Sequence, residues 1–336
     1  MATRLEELKE LVEKSRRLIV KTRHPKIVSA LADLLTRQAR LEQAEGRLEE
    51  TSRLLQEVVP LYEELGHTRR RTDTLEQLAD LHQLRGRYAE ALTLLREQVL
   101  PAYASPEHER ARTLILGKIA DLHHRRLERD EALRLRQEVV RVFERLGDAR
   151  EHAIALGRVA DSLEDLGQVE QLQEALRIRR ELVIPTFERL GDERERAVAL
   201  GRVADMLHTL FNDPDEALRI RREEQLPVYE RLGDVRSRAI VLGKIAQLLG
   251  ERGQLDEAQR LIEEQVLPVV ERLGDLRAVL MNRAELAQLH LDRGTEEERA
   301  RGVALLRDCL RTAEASQLSA EAFGLRYLLQ RALGPE

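Results

Sequence analysis

The segment IALGRVADSLEDL, residues 154–166, recurs with few changes along this chain of 336 residues. The other versions share its central apolar-small pair: LILGKIADLHHRR (114–126), VALGRVADMLHTL (198–210), IVLGKIAQLLGER (240–252) and, more weakly, residues 74–86, 283–294 and 29–38. The small residue of each copy is an alanine, and these alanines are spaced 40 to 47 residues apart: Ala32, Ala79, Ala120, Ala160, Ala204, Ala246 and Ala287. Such a period predicts an array of supersecondary units that bury a continuous core by stacking.

Each repeat contains two amphipathic segments, which we call helix A and helix B. In the fifth repeat, Leu200, Val203 and Leu207 have the spacing of one helical face and predict helix A. The turn FNDPDEA follows, and Asp215 is the expected N-cap of helix B. The recurring LGD, for example at 232–234, predicts a left-handed glycine after helix B and an aspartate N-cap for the next helix A.

The pattern resembles the tetratricopeptide repeat (TPR) family. In GQLDEA (253–258) and GRYAEA (86–91), a helix-ending glycine and the first alanine of helix B follow the apolar-small pair of helix A at the family's spacing. The long units are similar to the version found in kinesin light chains and many bacterial signalling proteins. The chain departs from the family pattern at three helix B positions that usually hold a large apolar residue: Arg136, Arg179 and Arg221.

The resemblance implies an all-α, right-handed TPR-like α-solenoid of about seven helix-turn-helix repeats over residues 26–316. A capping helix is expected at each end, in residues 1–25 and 317–336, because a terminal repeat otherwise exposes an apolar face. The N-terminal helix has an expected apolar stripe of Leu5, Leu8, Leu11 and Leu18. Ser319 is the expected N-cap of the C-terminal helix.

Prolines recur inside helix B. In the fourth, fifth and sixth repeats, one extra residue accompanies Pro185, Pro227 and Pro268. This residue would rotate the rest of helix B by about 100°. A π-type turn absorbs one residue and restores the face. We therefore predict a bulge there that keeps Tyr229 and Leu232 in the core. Helix B of the third repeat and the helix around Pro60 contain no such extra residue in their apolar spacing.

Composition excludes several classes of protein. The charge is −5 with 35% charged residues, so no strong positive field is available for a nucleic-acid binder. No apolar run is long enough to cross a membrane, and the N-terminus lacks the apolar region of a signal peptide. With Cys309 as the single cysteine, a cytoplasmic location is expected. The excess of arginine over lysine is typical of GC-rich bacterial genomes.

Two charge columns on helix A are the candidate site. The basic column is Lys118, Arg158, Arg202 and Lys244, and three residues later come Asp121, Asp161, Asp205 and Gln247. Residues at this spacing are neighbours on a helix, and the TPR resemblance implies that they line the concave, peptide-binding face. The alternative is a ladder of salt bridges within and between repeats. Asp33 and Asp80 extend the acidic column without basic counterparts, so we expect a more acidic N-terminal end.

Three further features have two interpretations each. Glycines inside helix A (Gly117, Gly157, Gly201 and Gly243) indicate either close helix packing or room for a ligand. Aromatics near the helix B prolines (Tyr62, Tyr103, Phe143, Phe187 and Tyr229) indicate either inter-repeat core or a binding stripe. A helix B set is either a solvated face or a docking patch for an acidic partner: Arg134, Arg136, Arg177, Arg179, Arg180, Arg219, Arg221 and Arg222.

No motif predicts catalysis, a cofactor or a metal site. Gly117-Lys118 lacks the rest of a phosphate loop, and no nucleophile motif surrounds Cys309. The expected function is a non-enzymatic scaffold or adaptor that binds a protein or peptide in the groove of the A helices. The alternatives are a regulatory receptor that changes curvature when it binds a peptide signal, and a protein that self-assembles end to end. The oligomeric state and the partner are not predicted.

Overall fold

The computed structural model describes residues 2–334. The chain is 87% helical, and the described residues contain no strand. It divides into two compact units, residues 1–175 (unit 1) and 176–336 (unit 2). The predicted all-α, TPR-like class is confirmed.

The helices of unit 1 are joined by short turns. In order they are α1 (Ala2–Lys21), α2 (Pro25–Ala44), α3 (Leu48–Glu64), α4 (Thr68–Leu84), α5 (Tyr88–Leu94), α6 (Glu109–Arg125), α7 (Arg129–Leu146) and α8 (Ala149–Leu166), followed by α9 (Val169–Arg177), which runs into unit 2. The A helices of the first four repeats are α2, α4, α6 and α8.

The helices of unit 2 alternate in the same way. In order they are α10 (Ile184–Leu190), α11 (Glu193–Thr209), α12 (Pro214–Arg219), α13 (Leu226–Arg231), α14 (Val235–Glu251), α15 (Leu255–Arg260), α16 (Leu267–Arg272), α17 (Leu276–Asp292), α18 (Glu296–Ala315) and α19 (Ser319–Leu333). The A helices of the last three repeats are α11, α14 and α17.

The repeat alanines lie where the helices of a repeat meet. All seven are at most 2% exposed, as expected if a small side chain is required for close packing. Of the aromatic column, Tyr62, Phe143, Phe187 and Tyr229 are buried, which favours the core interpretation for these four. Tyr103 is only half-buried.

The predicted bulges in helix B are confirmed. π-helical segments at Ile178–Val183, Ile220–Gln225 and Leu261–Val266 each end two residues before the proline, and the helix continues beyond it. Neither α7 nor α3, which contains Pro60, is interrupted.

The second repeat has a bulge that the spacing argument missed. A π segment at Leu95–Val99 precedes Pro101, and the chain continues as a 3₁₀ turn, Leu100–Tyr103. The sequence EQVLP at this point matches EQVLP in the sixth repeat, and that identity was the available signal.

The prediction for Leu232 was wrong. Tyr229 is 4% exposed, but Leu232 is 48% exposed. The equivalent leucines are exposed too, because the helix ends there and Gly233 turns the chain away with φ of +63°. The LGD signal is otherwise confirmed: Asp234 accepts from the Ser237 backbone N–H at 3.0 Å.

Two predicted N-caps were wrong. Helix α12 is capped by Asp213, which accepts from the Glu216 N–H at 3.1 Å, because Pro214 occupies the first helical position and leaves Asp215 inside the first turn. Helix α19 begins at Ser319 itself, with Leu318 in the cap position. The left-handed Gln317 returns the chain to a helical path one residue earlier than expected.

The capping helices also have a different phase from the predicted one. In α1 the buried stripe is Leu5, Leu8 and Val12, whereas Leu11 and Leu18 are exposed. This stripe has the i, i+3, i+7 spacing of one helical face, and Leu11 lies about 100° away from Val12. At the other end, α19 packs on α18 through buried residues that include Ala322 and Leu325.

Candidate functional site

The charged columns of unit 1 form ion pairs between consecutive A helices. Lys118 Nζ of α6 lies 3.2 Å from both carboxylate oxygens of Asp80 in α4, and 3.5 Å from Glu76 Oε2. Arg158 of α8 donates to Asp121 of α6 at 2.5 Å. Each cation therefore pairs with a carboxylate of the preceding repeat. Exposed pairs of this kind contribute about 0–1 kcal/mol each.

Asp121 has a second, buried partner. Arg136 extends from α7 with its side chain 5% exposed, and its Nη2 lies 3.0 Å from Asp121 Oδ1. Its Nη1 donates to the Arg158 carbonyl at 2.9 Å and to Ser162 Oγ at 2.7 Å. A buried guanidinium is tolerated because a carboxylate and hydrogen bonds replace its hydration. This explains why an arginine occupies a position that is apolar in the TPR family.

A cleft of about 390 Å³ opens beside this network. Its lining includes apolar side chains of α6, α7 and α8 together with the charged rim: Leu114, Ile115, Phe143, Ile154, Lys118 and Asp121. Gly117 is part of the lining, and a Cβ added there would meet no atom within 4 Å. The missing side chain therefore leaves space that the rest of unit 1 does not fill.

Tyr103 closes one side of the cleft. Its hydroxyl donates to Glu76 Oε1 at 2.9 Å, and Glu76 also faces Lys118. Burial raises the pKa of Tyr103 to about 12, with further contributions from the hydrogen bond to Glu76 and from its charge. Tyr103 is therefore a neutral donor at neutral pH.

The N-terminal end of the groove is not as acidic as expected. A cavity of about 660 Å³ between α2 and α4 is lined by Arg37, Arg40 and Arg70 as well as Asp33 and other residues. Arg70 Nη1 donates to Asp33 Oδ1 at 3.1 Å. The prediction failed because it compared only the two columns, and these arginines lie outside them.

Unit 2 repeats the carboxylate–arginine arrangement. Asp205 of α11 accepts from Arg221 at 2.6 Å and lies 3.7 Å from Lys244 of α14. The Arg221 side chain is 5% exposed, and burial lowers its pKa although the Asp205 carboxylate opposes that shift. Arg221 Nη1 also donates to Gln225 Oε1 at 3.2 Å, and Gln225 Nε2 donates to the Ala197 carbonyl at 3.1 Å.

The glycines of unit 2 are in close contact with neighbouring side chains. A Cβ at Gly201 would collide with the amide of Gln225, and one at Gly243 would lie 2.9 Å from Asn282 Oδ1. At Gly117 and Gly157 nothing lies within 4 Å. The two interpretations of the helix A glycines therefore both apply, at different repeats.

The remaining predicted residues have varied positions. Asp161 is half-buried and Arg202 is exposed. Gln247 donates to Glu251 at 3.3 Å, and Glu251 is also 2.6 Å from His208. The helix B set separates into two groups. The buried members are Arg136, Arg179 and Arg221. The exposed members are Arg134, Arg177, Arg180, Arg219 and Arg222.

Other chemistry finds little support in the described residues. Burial raises the pKa of Cys309 to about 11, so its thiol is protonated at neutral pH. No group of three or more histidine, cysteine or acidic side chains within residues 2–334 is arranged to hold a metal ion. No helix in the same range is long and apolar enough to cross a membrane.

Solved structures with the same arrangement of helices are numerous. A signal transduction ATPase with numerous domains and a tetratricopeptide repeat sensor, from Pyrococcus horikoshii, superposes with a TM-score of 0.64 and 14% identity. The match covers 97% of this chain and 49% of that one. The chain has the fold of tetratricopeptide-repeat proteins.

Two further TPR-fold structures match over nearly their whole length. A Rap protein complexed with competence and sporulation factor has a TM-score of 0.55 and 12% identity, with 98% of this chain and 97% of that one covered. A tetratricopeptide repeat protein from Parabacteroides merdae has a TM-score of 0.55 and 14% identity, with coverage of 90% and 99%. No protein-family model and no curated protein matches the sequence. This chain spans about half of the Pyrococcus horikoshii protein.

Proposed function

We propose that this chain is a non-enzymatic peptide-binding module that holds a segment of a partner protein along the A helices of unit 1. The observation that carries the proposal is the open cleft at Gly117, with an apolar floor and a charged rim. Clefts of this size with a few polar groups are typical ligand sites. A Rap conjugation gene regulator of the same fold, with a TM-score of 0.56 and 15% identity, was solved in complex with the Phr* peptide, which supports a peptide as ligand.

The arrangement of charges indicates how a peptide would bind. Lys118 is paired with Asp80 and Arg158 with Asp121, so the rim does not require a charged ligand to neutralise it. The floor, formed by residues such as Leu114 and Ile154, suits an apolar side chain. We infer that an apolar residue of the peptide occupies the cleft, while the rim groups hydrogen-bond to its backbone.

The test is selection from a phage-displayed library of random dodecapeptides on the immobilised whole chain. The wild type is expected to enrich a peptide family with an apolar anchor. Gly117→Leu, which places a side chain in the cleft from α6, should weaken the binding of a selected peptide about tenfold or more. Gln137→Leu is the matched control, because it adds the same side chain at an exposed position of α7 without a change of charge. Equal loss in both variants, or no loss at Gly117→Leu, would contradict the proposal.

A regulatory receptor is the second candidate. The shared carboxylate of Asp121 favours it, since a ligand that competes with Arg158 for this carboxylate would alter a contact between consecutive A helices. Small-angle scattering with and without a selected peptide separates the two functions. A receptor is expected to change its radius of gyration on binding, whereas a passive scaffold keeps it.

A further inference from the structure

A cavity of about 510 Å³ lies between α1, α2 and the beginning of α3, all within unit 1. At about 100° per residue, Gln38 and Glu42 of this cavity lie about 140° and 180° around α2 from Asp33, which faces the groove. The cavity therefore opens on the side of α2 away from the groove and is separate from the proposed peptide site. Every side chain that lines it is charged apart from Val12 and Gln38.

Gln38 is a buried polar side chain whose oxygen has no partner. The residue is 4% exposed, and its Oε1 accepts no hydrogen bond from any of the described residues. A buried carbonyl oxygen without a donor destabilises the folded protein, because it has lost the hydrogen bonds that water makes to it in the unfolded chain. Gln38 lines the cavity, so the missing donor can be supplied by a molecule bound there.

Glu42 places a second acceptor one turn further along α2. Its side chain is 1% exposed, and Arg47 holds its Oε2. Its Oε1 lies 3.8 Å from Lys9 Nζ, which is beyond hydrogen-bond distance, and Lys9 donates to Glu6 at 3.1 Å instead. Among the described residues, two buried acceptors on one face of α2 are thus open to a donor.

The charges around the cavity favour a cationic donor. Each basic side chain of the lining is paired with at least one carboxylate, and these basic residues are Lys9, Arg16, Arg47 and Arg53. The carboxylates that they contact are those of Glu6, Glu13, Glu42, Glu45, Glu50 and Glu57. Six negative charges therefore surround four positive ones. An ammonium group compensates this excess and brings three N–H donors, whereas an anion would be repelled.

We propose that this cavity binds the primary ammonium group of a small aliphatic amine, with Gln38 Oε1 and Glu42 Oε1 as its acceptors. Three donors on a tetrahedral nitrogen suit two acceptors that project from adjacent turns of one helix face. The methylene chain of the amine packs against Val12, the apolar side chain of the lining. This site goes beyond the proposed peptide binding and does not depend on it.

Isothermal titration calorimetry of the whole chain with putrescine tests the site. The wild type should bind putrescine, and Gln38→Met, which keeps an unbranched side chain but removes the amide, should bind it at least about tenfold more weakly. Tetramethylammonium carries the charge without N–H donors and should not bind. Gln56→Met is the matched control, because it makes the same change at an exposed position of α3 and should leave putrescine binding unchanged.

Urea unfolding without the amine supplies a second readout. Gln38→Met should raise the midpoint of unfolding, because a buried oxygen without a donor is removed, whereas Gln56→Met should not change it. A lower midpoint for Gln38→Met would mean that the amide has a partner within the chain, which refutes the site. The site is also refuted if the wild type binds no putrescine, since the cavity then holds water only. Equal binding of tetramethylammonium would refute it too, because any cation would then serve.

Discussion

Both units contain a buried arginine–aspartate ion pair, but the other hydrogen bonds of the arginine differ between them. In unit 1, Arg136 pairs with Asp121 and its remaining amino group reaches forward to Ser162 and the Arg158 carbonyl on the next A helix. In unit 2, Arg221 pairs with Asp205 and reaches Gln225, four residues along its own chain. Gln225 in turn fills the space above Gly201, while Gly117 stays open.

The difference follows from one residue in helix B. Gln225 is the last residue of the π segment that precedes Pro227, whereas α7 has no π segment and no proline. Four residues after Arg136 comes Val140, which has no amide to place over a neighbouring helix. The residue at the end of the π segment, and not the insertion alone, therefore fills the space, since the π segment of the fourth repeat ends in Val183 and Gly157 of that repeat stays open.

Removal of the shared carboxylates should give the largest effect. Asp205→Ala leaves Arg221 buried with only a neutral amide partner, and we expect a loss of about 3 kcal/mol in the free energy of unfolding. Asp121→Ala should cost somewhat less, since Arg136 keeps Ser162 and a backbone carbonyl. Asp80→Ala is the control, with an expected cost below about 1 kcal/mol because Lys118 is exposed and keeps Glu76. Urea unfolding measures all three.

Equal costs for Asp80→Ala and Asp121→Ala would contradict the distinction between exposed and buried pairs. Charge reversal of Asp121, Asp161 and Asp205 together is another way to test ligand binding, but it removes the partners of the buried Arg136 and Arg221. That variant would lose structure as well as charge, so the substitution at Gly117 tests the groove more cleanly.

Alanine at the helix A glycines should affect the two units in opposite directions. Gly117→Ala adds a methyl group in open space, and we expect a gain of about 1 kcal/mol from helix propensity. Gly201→Ala gains the same propensity but displaces the Gln225 amide from the Ala197 carbonyl, so the net change should be a loss of about 1 kcal/mol. Thermal unfolding of both variants measures the signs. Stabilisation at Gly201 would mean that Gln225 moves aside without cost.

The sequence predicted the fold well because the repeat averages over errors at single positions. The seven alanines recur every 40 to 47 residues and are all buried, so the repeat is evident even though its length varies. The bulges were also predictable, because the slip in the apolar stripe requires one extra residue to be absorbed. The exposure of Leu232 was not predictable, because the spacing of apolar residues does not show where a helix ends.

The site was predictable only in part. The columns contain Lys118, Asp80, Asp121 and Arg158, which the structure joins in ion pairs, but the pairing between repeats depends on the distance between helices and was not evident from the sequence. The open state of Gly117 depends on residues of α7 and α8 that a helix A motif does not contain. Tyr103 was noted only as a member of the aromatic column, and Glu76 was missed. The two meet across 27 positions of sequence, and no local pattern reports such a contact.

The titration of Tyr103 is the most sensitive test of the cleft in unit 1, although its effect is the smallest. Its pKa of about 12 lies above the ordinary value near 10, so the neutral phenol is favoured in the folded protein. The stability that it contributes is complete below pH 10 and is lost as the pH rises towards 12. Tyrosinate absorbance of the wild type minus that of Tyr103→Phe isolates this group. A titration midpoint near pH 10 would mean that Tyr103 is hydrated and that the cleft is wider than described. A midpoint near pH 12 is the expected result, and a further rise on addition of a selected peptide would place the peptide against Tyr103.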